Sequence, residues 1–128
     1  MSKDVINVQY PELDGTQSVG FAEIEKTEVV PANGVTVKDA FSNKNNTLVI
    51  CVENSDETDS SLTFLAGDNY PNAMLGDLEQ EIPAGTCVAF QIQDPSRFEN
   101  KDGSLYIDFD EGFEGTIFAV AKSVNLNV

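Results

Sequence analysis

Carboxylates are the one reactive group this chain has in quantity: 22 Asp and Glu stand against 7 Lys and Arg, with two cysteines and no histidine. Serine and cysteine nucleophiles normally rely on a histidine base, and no G-x-S-x-G run is present, so an ordinary triad hydrolase has nothing to work with. A glycosidase needs only two carboxyl groups facing each other across a cleft. Among 22 acids some pair meets by chance, and the absence of tryptophan removes the usual sugar platform. Calcium takes six to eight oxygens, and two clusters have the right ligand type: Asp56, Glu57 and Asp59, and Asp108, Asp110 and Glu111. Neither follows the EF-hand spacing, because Gly112 stands where a third oxygen ligand belongs. Both read as solvated loop tips and outer strand faces. Zinc lacks its nitrogen and sulfur donors. The expectation is therefore no catalytic residue, no cofactor and no metal site. Cys51 and Cys87 lie inside apolar runs and read as buried free thiols that pack as small hydrophobes; a disulfide would require their strands to be neighbours.

The formal net charge of −15 argues against nucleic acid, whose phosphates require clustered Lys and Arg. No basic residue occurs between Asn45 and Ser96, a stretch that holds nine acids, so the imbalance is sharpest in mid-chain. Such a surface favours solubility and self-repulsion, and it can meet a basic partner. No apolar run approaches the roughly 18 residues of a membrane span, and MSKDVINVQY lacks the apolar core of a signal peptide. The expectation is synthesis in a cytoplasm, with no membrane partner. At 128 residues and 41% hydrophobic, the chain is one domain with enough apolar side chains for a core without metal or disulfide.

The elements that would position these groups are strands. Thr47–Val52 (TLVICV) is apolar on both faces, the pattern of a central strand covered from both sides. Ser61–Ala66, Asp77–Ile82 and Cys87–Ile92 alternate, and Pro83-Ala84-Gly85 turns the chain tightly between the last two, which together read as an antiparallel unit. Ser104–Phe109 alternates with Leu105, Ile107 and Phe109 inward, and Thr116–Val124 is the last long strand. Asn33-Gly34 is a hairpin signal. Phe21–Val30 carries charges on both faces, as an edge strand does. No segment of ten residues keeps a 3.6-residue period, so the fold class is all-β: an antiparallel β-sandwich, jelly-roll or Ig-like, of seven to nine short strands over residues 21–128. The expected core is Leu48, Ile50, Val52, Phe64, Phe90, Ile107 and Phe109. Residues 1–20, interrupted by Pro11, Gly15 and Gly20, read as an N-terminal arm or a first edge strand.

The series VICVEN (Val49–Asn54), LAGDNYP (Leu65–Pro71), Gly76-Asp77-Leu78-Glu79, Ile82-Pro83-Ala84-Gly85-Thr86, Ser96-Arg97-Phe98, Asp102-Gly103 and Tyr106-Ile107-Asp108-Phe109 resembles the small head decoration, or minor capsid, proteins of tailed bacteriophages and prophages. The likeness spans about residues 46–122. It implies a non-enzymatic β-sandwich that binds the outer surface of an icosahedral head, with the major capsid protein as partner, copies of itself as neighbours and the virion as its location. The apolar and aromatic residues expected to meet a partner are Tyr10 and Pro11 in the arm and Tyr70, Pro71, Met74 and Leu75 in the long loop Gly67–Gly76. The competing reading is a carbohydrate-binding, lectin-like sandwich with or without calcium, which tryptophan's absence disfavours.

Overall fold

The computed structural model describes residues 3–13, 20–41, 48–68, 76–92 and 95–122. These residues form β1 (Asp4–Gln9), β2 (Glu12–Leu13), β3 (Gly20–Phe21), β4 (Thr27–Glu28), β5 (Val35–Lys38), β6 (Val49–Asn54), β7 (Ser60–Phe64), β8 (Leu78–Ile82), β9 (Cys87–Gln91), the one-turn helix α1 (Pro95–Phe98), β10 (Leu105–Phe109) and β11 (Gly115–Val120). The chain is all-β, as its alternation predicts. Nine strands join into one sheet in the order β8-β7-β10-β5-β1-β11-β6-β9, with β4 also on β11, while β2 and β3 pair with each other. The sheet wraps almost into a barrel, so that its two terminal strands, β8 and β9, are consecutive in the chain.

Purely antiparallel pairing is not what forms. β1 runs parallel to both of its neighbours: Asp4 to Asn7 lie beside Val35 to Lys38 of β5, and Val8 and Gln9 lie beside Ala119 and Val120 of β11. The other ladders are antiparallel, so the sheet is mixed. Residues 4–9, expected in an arm or edge strand, occupy the inside of the sheet, with Ile6 and Val8 buried. The Asn33-Gly34 turn forms, with Gly34 at φ 71° and both residues donating to the Val30 carbonyl. It closes no hairpin, because β4 pairs with β11 while β5 pairs with β1 and β10. The Pro83–Thr86 turn likewise forms, with Gly85 at φ 68°, yet β8 and β9 are not paired across it. This turn carries the chain over the interior, and Phe64 of β7 meets Phe90 of β9 edge-on with ring centroids 5.3 Å apart.

Alternation does the packing. Val35, Val37, Ile50, Val52, Leu105, Ile107 and Ile117 are fully buried, each contributing about 1.5–3 kcal/mol of apolar transfer. Of the expected core, Leu48, Ile50, Val52, Phe64, Ile107 and Phe109 are buried; Phe90 is only half-buried, because β9 is a terminal strand. Among the described residues Asn54 is the one polar side chain with no exposure. Its amide donates to the carbonyls of Thr58 and Ile82, both at 3.0 Å, its oxygen accepts from the Asp56 N–H at 3.0 Å, and its own N–H donates to Thr86 at 2.8 Å. Asn54 thus ties β6 to both sides of the Pro83–Thr86 turn.

Two stability measurements test this account. Phe64→Ala should lower unfolding free energy by about 3–5 kcal/mol, and Asn54→Ala by about 1–3 kcal/mol through unpaired buried carbonyls, both read by chemical denaturation. Deleting residues 1–9 should abolish the cooperative thermal transition, because β1 joins the two halves of the sheet; a truncated chain that melts normally would overturn the topology.

Candidate binding surfaces

Three of the six clustered carboxylates have hydrogen-bond or ion-pair partners within the chain. Asp56 accepts from the Glu57 N–H at 2.7 Å and the Thr58 hydroxyl at 3.2 Å, and Asp59 accepts from the Ala84 N–H at 2.9 Å. Asp108 pairs with Lys3 at 2.6 Å, a partly exposed bond that staples the start of β1 to β10 across β5. The Ser104 hydroxyl, and then its N–H, hold the Asp102 carboxyl below the usual aspartate range. Among the described residues no three His, Cys, Asp or Glu side chains converge as a metal site would require.

Charge is distributed unequally over the outside of the sheet. On β8, β7 and β10 the outward residues in register include Glu79, Thr63 and Asp108, with Glu81 and Ser61 one row on. On β9, β6 and β11 the three outward rows are Gln91–Val49–Val120, Ala89–Cys51–Phe118 and Cys87–Glu53–Thr116. None of these nine belongs to the buried core, and Glu53 is the sole charge among them. Its carboxylate lies 3.9 Å from the Lys26 ammonium. Beyond β11 charge returns: Glu28 of β4 is in register with Thr116, and a groove of about 160 Å³ between Phe118, Gln9 and Thr27, which leads to the 60% exposed Val5, is lined also by Glu25. Gln9 holds the groove's wall by a reciprocal pair of hydrogen bonds with the Glu25 backbone, at 2.8 and 2.9 Å.

β6 therefore corrects the expectation that it is covered from both sides. Ile50, Val52 and Asn54 face the interior, while Val49 and Cys51 face outward. The cysteines are corrected as well: Cys51 is half-buried and Cys87 exposed, both free and both on the outer face. With Cys51 opposite Ala89 and Cys87 opposite Glu53, they form a diagonal cross-strand pair. Burial, and then the nearness of Cys87, push the Cys51 thiol upward.

A second opening lies at the free ends of the sheet. A cleft of about 500 Å³ separates β8 from β9, with Leu78 and Gln80 on one side, Phe90 and Gln91 on the other, and Phe64 and Phe98 at its base. The helix α1 reaches this position because Gly67 donates to the Arg97 carbonyl at 2.9 Å and has no side chain to overlap the Glu99 carbonyl. The Arg97 guanidinium donates to the carbonyls of Gly76 at 3.1 Å and Asp77 at 3.3 Å and lies over the Phe98 ring.

Of the residues expected to meet a partner, Tyr10 packs against the core and is half-buried, as is Pro11. Tyr70, Pro71, Met74 and Leu75 lie outside the described residues. Both surfaces found here escaped the residue-by-residue reading. The only signal for the uncharged face was the doubly apolar pattern of β6, which two-sided burial explains equally well. Comparison with known proteins adds no likeness: no family model, curated protein or solved structure matches this chain.

The two thiols should differ in reactivity. At neutral pH a maleimide should label Cys87 at least about tenfold faster than Cys51, whose raised pKa leaves less thiolate. Peptide mapping of a timed reaction checks this, and equal rates would contradict the difference in burial between the two thiols.

Proposed function

We propose that this chain is a non-enzymatic binding and structural protein, a decoration protein of a tailed-phage capsid. In this reading its uncharged face seats on the outer surface of the head, against the major capsid protein and beside further copies of itself, and reinforces the shell. The wrapped sheet takes the part of the sandwich body of such accessories. The observation that carries the reading is the outer face of β9, β6 and β11: in a chain of net charge −15, its nine side chains include one charge, and that one faces Lys26. Charged residues are depleted where protein interfaces are buried, and such a face can be desolvated without stranding an ion. The acids on β8 and β10 then point away from the shell and repel other acidic bodies. The sugar-binding alternative finds one ring, Phe118, on this face and gains no support from it.

Co-sedimentation with undecorated heads tests the proposal. Phe118→Glu and Val49→Glu should each weaken binding at least about tenfold, since each would bury an unpaired charge, while leaving the melting temperature within a few degrees. Wild-type protein that fails to sediment with heads, or variants that bind as it does, would overturn the proposal.

A further inference from the structure

We infer that the cleft between β8 and β9 accepts one extended peptide segment, a strand whose side chains alternate apolar and basic, added to the free edge of β8. The inference is independent of the capsid reading. β8 and β9 end the nine-stranded order, so among the described residues each has one ladder edge with no partner strand. Edges of this kind are templates for an added strand, with backbone bonds providing affinity and side-chain pockets providing choice. Most sheets keep their edges apart. Here the near-closure of the sheet puts both edges on one cleft, and the Asn54 bonds to Ile82 and Thr86 fix its closed corner.

The cleft's chemistry specifies the segment. Inward, Leu78 and the rings of Phe90 and Phe98 offer apolar surface, with the Gln80 amide between them on β8 and Arg97 on the lining, so alternate residues of an added strand meet a largely apolar wall. Outward, the nearest neighbours of the alternate residues are Glu79 and Glu81, both exposed on β8. Directly opposed cross-strand side chains lie about 4.5–5.5 Å apart, a range at which opposite charges attract and like charges repel. No Lys or Arg of residues 45–96 competes for these carboxylates, and the Arg97 guanidinium is engaged by the Gly76 and Asp77 carbonyls. Pairing on β9 would meet Cys87, Ala89 and Gln91 instead, which offer no charge to read. The partner is thus a protein arm or tail in extended conformation with Lys or Arg at alternate positions.

Fluorescence anisotropy with the full chain and labelled synthetic peptides tests this. The probe is acetyl-KVKVKV-amide; the controls are EVEVEV, the equally charged but non-alternating KKKVVV, and a fully N-methylated KVKVKV that cannot donate to a ladder. The expected result is that each control binds at least about tenfold more weakly than the probe. In the double variant Glu79→Lys/Glu81→Lys, whose sites are exposed and whose melting temperature should hold, EVEVEV should become the tighter ligand. No saturable binding of KVKVKV, equal binding of KKKVVV or the N-methylated peptide, or an unchanged preference in the double variant would each overturn the inference.

Discussion

One strand's position governs the architecture. β1 is paired along its first four residues with β5 and along its last two with β11, parallel in both cases. Without it the sheet would part into β8-β7-β10-β5 and β11-β6-β9, two half-sheets each with a bare inner face. The interaction is secured at its start, where the Asp4 N–H donates to the Gly34 carbonyl at 3.1 Å and Lys3 reaches Asp108. It is secured again at its end, where the Ala121 N–H donates to the Gln9 carbonyl at 3.1 Å. Because this strand closes one side of the interior, the opposite side, at β8 and β9, is the one left open.

That closure also decides what the surface can do. A wrapped sheet has a single inside, so every strand contributes one outward row, and the character of each outward row is free to differ. The rows of β8 and β10 carry several carboxylates, whereas those of β9, β6 and β11 carry valine, alanine, phenylalanine, thiol, amide and hydroxyl with Glu53 as their one carboxylate. A net charge of −15 favours self-repulsion, while a face with a single charge can lose its water at less electrostatic cost than the acidic rows. Asp56 and Asp102 accept from nearby N–H and hydroxyl groups, as turn-forming aspartates do, while Asp59 accepts across the fold from the Ala84 N–H.

Alternation along the chain was sufficient for the strands themselves. Leu105, Ile107 and Phe109 point inward and Tyr106 and Asp108 outward because a pleated strand reverses its side chains at every residue, and that rule needs no partner. The same holds for the turns at Asn33-Gly34 and Pro83–Gly85, where glycine takes a positive φ that other residues resist. The all-β class and most of the core follow from these local rules.

Pairing does not. Whether a turn makes a hairpin depends on where both strands find hydrogen-bond partners, and across Pro83–Thr86 β8 pairs with β7 and β9 with β6, at opposite ends of the sheet order. Residues 4–9 looked weak because three of the six are polar, yet Ile6 and Val8 are enough to bury one face once β5 and β11 complete the ladder on either side. The outward apolar row of β6 was indistinguishable in sequence from a second buried face, since a side chain's type records what it tolerates and not what covers it. The uncharged face and the cleft are properties of neighbouring rows from strands far apart in the chain. Register between those strands, set by the closure of the whole sheet, is what brought Phe118 beside Cys51 and Leu78 across from Phe90.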